Sequence, residues 1–272
     1  MTQPVRIGVY EKSMPNEMTM AQKLHTARKA GFDYMEISID ESDEKLARLS
    51  ANAFLYELSE AVKQTGLPVP TMCLSGHRRF PLGSHDPKTR ERGMEIMEQA
   101  IRFSASAGIR IIQLAGYDVY YEQGDSATRA AFFQNLRDSV GIASAFGVTL
   151  AFETMETDFM NTVEKAMRYV NALHSPYLQV YPDIGNVRNA TDRYLEDLKT
   201  GQGHIAAVHL KETVPGVYRD MQFGDGRVDF DGCISALRGM GVGMFTCEFW
   251  YDGMSDPYEY LCKTKQFFES RF

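Results

Sequence analysis

Short apolar runs alternate with longer amphipathic segments along the whole chain. Each run is rich in β-branched and aromatic side chains and is followed by polar or turn residues, which is typical of buried strands. Eight strands are predicted, at residues 5–10, 34–39, 69–74, 109–115, 148–153, 178–183, 205–209 and 244–248. Helical patterns lie between and after them, at about 19–30, 52–64, 87–107, a stretch ending near 145, 161–173, 190–200, 230–240 and 257–271.

This alternation predicts a single (β/α)8 TIM barrel domain over residues 1–272. The strand starts recur every 27 to 40 residues, the length of a βα unit, and no Pro/Ser-rich linker or shift in composition interrupts them. A doubly wound sheet would leave about two strands surplus, so the barrel is favoured. With 44% hydrophobic residues, the chain can fill a core of this size.

The last four predicted strands each end in an acidic or imidazole side chain: Glu153, Asp183, His209 and Glu248. Burying a lone carboxylate is costly, so four such ends in succession call for a shared partner. In a barrel, the C-terminal strand ends converge on one mouth, which would unite them in one site. Two Glu, one Asp and one His form a mixed O/N ligand set suited to one divalent ion. The alternative is a set of exposed loop carboxylates with a core histidine.

Basic residues in the predicted mouth loops are candidates for binding an anion. His77, Arg78 and Arg79 form the only compact basic cluster in such a loop, and an arginine fork suits a phosphate. Solvated loop charge is the alternative interpretation. Lys12, at the end of the first strand, is a second candidate, and the backbone amides of residues 224–226 are a third.

Three further residues are candidates for the pocket wall. Lys211 either contacts a substrate or pairs with Glu212 or Asp183. Tyr117, in a tyrosine-rich loop, either lines the pocket or packs on its neighbours. Trp250 is the only tryptophan and is placed to close over a ligand.

Charge and cysteine content narrow the class of protein. A net charge of -7 gives no general attraction to nucleic acid or anionic membranes, so neither is an expected partner. No apolar run approaches the roughly 18 residues of a membrane span, and no signal peptide is visible. The four cysteines are widely spaced without a C-x-x-C pair, which favours reduced thiols in the cytoplasm.

Several stretches carry a resemblance to a known family. They are residues 8–12 (GVYEK), 72–84 (MCLSGHRRFPLGS), 112–121 (IQLAGYDVYY), 181–186 (YPDIGN), 208–211 (VHLK) and 223–230 (FGDGRVDF). They resemble the L-ribulose-5-phosphate 3-epimerases, also called L-xylulose-5-phosphate 3-epimerases, and the likeness covers nearly the whole chain. The strand-end Glu/Asp/His/Glu set is shared with the wider superfamily of sugar isomerases and endonuclease IV-like barrels, so it says little about substrate.

The resemblance implies a (β/α)8 barrel with one divalent ion, zinc or manganese, held by Glu153, Asp183, His209 and Glu248. It implies interconversion of L-xylulose 5-phosphate and L-ribulose 5-phosphate at C3 through a cis-enediolate, with the ion as Lewis acid and the two glutamates as base and acid. A homodimer is the expected assembly. The residues expected to contact the ketopentose 5-phosphate are Lys12, Glu36, Ser75, His77, Arg78, Arg79, Tyr117, Asn186, Lys211 and Trp250.

Three other functions remain as alternatives. An aldose-ketose isomerase of the same superfamily would use the same metal and glutamates but move the proton between C1 and C2. A DNA-repair nuclease would need several metal ions, more strand-end histidines and a basic face. This chain is acidic, and only one of its six histidines, His209, is at a predicted strand end of the mouth. A non-catalytic sugar-binding protein would have no need for two opposed glutamates on one ion.

Overall fold

All eight predicted strands are present in the computed structural model, which describes residues 4–272. Their side chains are mostly buried, so pairing with neighbouring strands satisfies backbone groups that water cannot reach. The strands are β1 Arg6–Tyr10, β2 Tyr34–Ile39, β3 Thr71–Leu74, β4 Ile111–Ala115, β5 Thr149–Glu153, β6 Leu178–Val180, β7 Val208–Leu210 and β8 Met244–Cys247.

The strands pair in parallel in the order β6-β5-β4-β3-β2-β1-β8-β7. The two outer strands of this order meet through parallel bridges, one from Val180 to Ile205 and one from Asp183 to His209. The amide of Val180 also donates to the carbonyl of His204 at 2.8 Å. These contacts close the sheet on itself, which confirms the predicted TIM barrel.

Helices follow each strand and cover the outside of the barrel. The predicted helical stretches are confirmed to within a few residues. In residues 4–272 the helices are α1 Met20–Lys29, α2 Asp43–Ala47, α3 Asn52–Thr65, α4 Pro87–Ala107, α5 Ser126–Phe146, α6 Val163–Leu173, α7 Ile184–Ala190, α8 Tyr194–Thr200, α9 Phe230–Gly239 and α10 Pro257–Glu269. Gly108 ends α4 in the left-handed conformation, with φ of 78°, as its position after the amphipathic run predicts.

Two short helices, α2 and α7, were not predicted. They span five and seven residues, too few turns for an apolar periodicity to show. Each begins at a side chain that accepts from a first-turn amide, Ser42 from Lys45 in α2 and Asp183 from Asn186 in α7. Asp183 is therefore held in place by the helix that it caps.

A layer of buried hydroxyl groups lies inside the barrel, and two of its residues, Tyr181 and Thr246, come two residues before Asp183 and Glu248 in the sequence. The hydroxyls of Tyr34 and Tyr181 lie 2.8 and 2.6 Å from Thr246 Oγ1. A Cβ at Gly8 would lie only 2.2 Å from the Tyr34 ring, so glycine makes room for that ring inside the barrel. This hydroxyl layer, formed by Tyr34, Tyr181 and Thr246, lies directly beneath the mouth of the barrel.

Two expectations about the chain's environment can be compared with the structure. Cys73, Cys233, Cys247 and Cys262 are all free thiols, and the first three are buried. Over residues 4–272, none of the helices is both long and apolar enough to cross a membrane.

Candidate active site

The four strand-end side chains meet at the C-terminal mouth of the barrel. Glu153 ends β5, Asp183 follows β6, His209 lies in β7 and Glu248 follows β8. All four are buried, and one ligand atom from each lies within 4.8 Å of the others. The Nδ1 atom of His209 is 3.1 Å from a Glu248 oxygen and 3.5 Å from a Glu153 oxygen. The predicted convergence of these residues is confirmed.

The charge of this cluster calls for a cation. Its three carboxylates face the imidazole of His209 and the ammonium group of Lys211, which lies 2.7 Å from Asp183 Oδ2 and 3.4 Å from Glu248 Oε2. Neither oxygen receives a hydrogen bond of good geometry, although both are buried. A divalent ion that takes N and O ligands would satisfy these buried oxygens. The residues thus fit a divalent metal ion.

The two glutamates differ in the protonation state that their surroundings favour. Burial, followed by the charge of Glu248, raises the pKa of Glu153. Burial acts in the same direction on Glu248, but the charges of Lys211 and His209 outweigh it and hold the pKa of Glu248 well below its usual range. Surroundings that separate the pKa values of two carboxyl groups are the arrangement expected of an acid and base pair.

A cavity of about 310 Å³ opens above the cluster. Glu153 and Glu248 face it, so both can reach a bound molecule. Asp183 and His209 are buried and are not among the residues that line it. Six of the predicted substrate contacts also line the cavity: Lys12, Ser75, Arg78, Asn186, Lys211 and Trp250.

The three basic side chains in the loop after β3 point in different directions. Residues Gly76–Arg78 form a 3-10 turn, in which successive side chains point about 120° apart. Arg78 faces the cavity. His77 is buried with Nε2 3.0 Å from the carbonyl of Gly93, and burial lowers its pKa to about 4. Arg79 lies on the exposed outer surface, where it donates to Asp43 at 2.8 Å. Of the three predicted substrate contacts, only Arg78 lies at the cavity, and His77 and Arg79 are directed away from it.

Tyr117 lies behind Arg78 and does not line the cavity itself. The Arg78 guanidinium lies 5.8 Å from the centre of the Tyr117 ring and 5.0 Å from that of Tyr120. The Tyr117 hydroxyl donates to Glu156 at 2.7 Å. Of the two predicted roles, packing on neighbours is the one that the structure shows, and it holds Arg78 toward the cavity.

Glu36 lies below the cavity, which corrects its prediction as a substrate contact. It is fully buried, and its Oε1 atom lies 2.6 Å from His209 Nε2. Its Oε2 atom accepts from the Tyr181 hydroxyl at 2.9 Å. Strand alternation places Glu36 inside the barrel, but only the structure shows at which depth.

Two amides of the segment at 224–226 already have partners within the protein, since Gly224 donates to Glu212 and Asp225 donates to the carbonyl of Gln222 at 3.2 Å. The carboxylate of Glu212 already accepts from the amide of Gly224 at 2.9 Å, and from those of Thr213 and Val228 at 3.1 Å each. An internal carboxylate therefore occupies the place predicted for an anion. Glu212 is also not the partner of Lys211, which pairs with Asp183.

Four charged residues of the cavity wall were missed by sequence reasoning: Asp40, Glu41, Glu156 and Arg219. Asp40 directly follows β2 and accepts from the ammonium group of Lys12 at 2.5 Å, so its place after a strand was an available signal. Glu156 and Arg219 lie in irregular loops, and no motif marks them. The Arg219 guanidinium stacks 5.0 Å from the centre of the Trp250 ring at the cavity mouth.

Comparisons with known proteins agree with this architecture. The family model of the xylose isomerase-like TIM barrel matches residues 24–269. The L-ribulose-5-phosphate 3-epimerase UlaE of Escherichia coli (strain SMS-3-5 / SECEC) is 42% identical, covering 100% of this chain and 96% of its own. The protein of the same name from Salmonella paratyphi C (strain RKS4594) is 43% identical with the same coverage.

Solved structures with low sequence identity share the fold. A structure described as L-ribulose 3-epimerase has a TM-score of 0.82 at 20% identity, covering 98% of this chain and 94% of its own. The apo 3-keto-D-glucoside 4-epimerase YcjR from E. coli has a TM-score of 0.80 at 20% identity, covering 98% and 99%.

Proposed function

Because the chain belongs to the family of L-ribulose-5-phosphate 3-epimerases, we propose that it is an isomerase that interconverts L-ribulose 5-phosphate and L-xylulose 5-phosphate by inverting C3. One observation carries the proposal beyond family membership. Two buried glutamates, Glu153 and Glu248, flank His209 and face one cavity. Inversion at a carbon next to a carbonyl needs such a pair, because the proton leaves one face and returns to the other.

The proposed ion, zinc or manganese, would be held by Glu153, Asp183, His209 and Glu248. As a Lewis acid it would stabilise the negative charge that develops when C3 is deprotonated. Glu153 and Glu248 would each handle the proton on one face of C3, and the direction of reaction decides which of them acts first.

Asn186 is suited to orient a sugar hydroxyl in this cavity. Its side-chain amide nitrogen donates to the carbonyl of Thr154 at 2.8 Å, which fixes the side chain. Its oxygen is buried without a hydrogen-bond partner in residues 4–272, although the side chain lines the cavity. A buried acceptor left unpaired is costly, so a donor from the substrate would satisfy it.

The phosphate is proposed to bind at Arg78, with Lys12 as a second cation. Both line the cavity, whereas Arg79 does not. The aromatic rings of Tyr117 and Tyr120 hold the Arg78 guanidinium in place. The Arg78 side chain therefore loses less conformational entropy when it binds a phosphate. A charged hydrogen bond to a phosphate contributes about 1.5 to 3 kcal/mol.

Arg78→Ala is therefore expected to lower kcat/KM for the phosphorylated sugar by about tenfold to a hundredfold. Slow turnover of the free ketopentose should barely change, because that sugar has no phosphate to anchor. Arg79→Ala is a matched control from the same loop, with an exposed ion pair and an expected effect below about threefold. Steady-state kinetics with both sugars measure these effects. If Arg78→Ala and Arg79→Ala both keep the unaltered kcat/KM for the phosphorylated sugar, the phosphate anchor lies elsewhere, with Lys12 as the next candidate.

The proposal also covers the assembly and location of the enzyme. We expect a homodimer in the cytoplasm, and the four free cysteines suit a reducing compartment. Light scattering after size-exclusion chromatography should give about twice the chain mass of 30.7 kDa.

A further inference from the structure

Glu36 is a buried carboxylate in contact with His209, and the proposed reaction does not use it. It lies in β2, fully buried, beside the hydroxyl layer of Tyr34, Tyr181 and Thr246. Its Oε1 atom lies 2.6 Å from His209 Nε2. Its Oε2 atom accepts from the Tyr181 hydroxyl at 2.9 Å, and that hydroxyl lies 2.6 Å from Thr246 Oγ1. Contacts at both of its oxygens therefore fix the carboxylate.

This contact determines which nitrogen of His209 can bind a metal ion. With an ion on the other nitrogen, the one hydrogen of the neutral imidazole would lie on Nε2, where Glu36 Oε1, 2.6 Å away, can accept it. Nδ1 then keeps its lone pair, and Nδ1 is the atom that faces Glu153 and Glu248 at 3.5 and 3.1 Å. The hydrogen bond thus fixes both the orientation of the ring and the nitrogen left for coordination.

Three other side chains lie close to the imidazole, and none of them determines which nitrogen carries the hydrogen. The side-chain nitrogen of Gln113 lies 3.0 Å from His209 Nδ1 and 3.2 Å from Nε2, so it does not distinguish the two. The rings of Tyr181 and Tyr10 pack at centre distances of 4.9 and 6.2 Å and restrict the ring without choosing a nitrogen.

We propose that Glu36 is a positioning residue that holds His209 with Nδ1 toward the three carboxylates and thereby sets the metal affinity of the site. This inference rests on the metal centre of the proposed function. It replaces the substrate contact expected from sequence, because Glu36 has no surface in the cavity. Hydrogen-bonded partners of metal ligands typically contribute about tenfold to a hundredfold in metal affinity.

Competition with a chelator of known zinc affinity tests the proposal without relying on activity. Glu36→Ala is expected to weaken zinc binding by about tenfold to a hundredfold. Glu36→Gln keeps an oxygen that can accept from Nε2, so it should retain most of the affinity. Thr71→Val is the matched control, because Thr71 pairs in register with Glu36, is equally buried, and has a hydroxyl without a partner in residues 4–272. It should bind zinc as the unaltered protein does.

An unchanged zinc affinity in Glu36→Ala would overturn the proposal, whether or not KM is raised. If Glu36→Ala does not fold, nitrogen-15 NMR of the His209 ring in the zinc-loaded unaltered protein decides. The expected spectrum shows hydrogen on Nε2 and zinc on Nδ1, whereas zinc on Nε2 would overturn the proposal. Failure of the unaltered protein to bind zinc or manganese would be a different result, since it would remove the metal centre of the proposed function itself.

Discussion

Glu153→Gln and Glu248→Gln are each expected to lower kcat by about 10²-fold to 10⁴-fold, the usual loss when one member of a proton-transfer pair is removed. Both side chains face the cavity, and glutamine has nearly the same shape but cannot take up or release the proton. Because the two carboxylates serve opposite faces of C3, neither should substitute for the other. Steady-state kinetics in both directions of the reaction measure the loss.

Both glutamates are also proposed metal ligands, so lost activity alone is ambiguous. The zinc or manganese content of each variant should be measured beside kcat, at metal concentrations that saturate the site. Glu91→Gln, at an exposed position of α4, is the control and should keep the unaltered kcat. A metal-loaded Glu153→Gln or Glu248→Gln variant with unaltered kcat would show that the replaced carboxylate does not handle the proton.

Glu11→Gln is expected to lower the free energy of unfolding by about 3 to 5 kcal/mol, the usual result of removing one partner from a buried charge network. Glu11 directly follows β1 and is fully buried. Its carboxylate accepts from Lys45 at 2.6 Å and from Arg48 at 2.9 and 3.0 Å, and Lys23 lies 3.4 Å away. Without Glu11, these cations would stay buried with no opposing charge.

The same network predicts a loss of stability in acid. Burial raises the pKa of Glu11, but Lys45 and Arg48 outweigh it and lower that pKa from 4.5 to about 2. The contribution is therefore fully present above about pH 4.5 and is lost as the pH falls toward 2, and it amounts to about 3 kcal/mol.

Urea unfolding at pH 7 and at intervals below pH 5 measures both effects. Glu91→Gln again serves as the control, with an expected change below about 0.5 kcal/mol. If Glu11→Gln is as stable as this control at pH 7, the network does not stabilise the fold.

The eight strands and the convergence of their charged ends could be predicted because both depend on local pattern. A buried parallel strand needs a short apolar run, and the barrel geometry then brings Glu153, Asp183, His209 and Glu248 together wherever the loops run. The bounds of β6 and β7 were less accurate. There β6 ends early at Val180 and β7 begins late at Val208, and two isolated bridges, Val180 to Ile205 and Asp183 to His209, join the two segments.

The directions of loop side chains could not be predicted, because distant partners set them. His77 is turned away by a carbonyl of α4, and Arg79 by Asp43 in α2. In the sequence, Glu11 is not distinguished from any other charged residue after a strand. Its three cations lie 12 to 37 residues further along the chain. Glu36 was predicted to contact substrate, but its depth in the barrel depends on Tyr181, which is 145 residues distant.

The most direct test of the proposed function is to incubate the purified, zinc- or manganese-loaded protein with L-ribulose 5-phosphate in D₂O and to identify the product by NMR. We predict L-xylulose 5-phosphate, with deuterium at C3 of both product and recovered substrate, because two solvent-exchanging carboxylates handle that proton. An aldose phosphate with exchange at C1 or C2 would instead show an aldose-ketose isomerase. No conversion by the metal-loaded protein would contradict the proposed epimerase function.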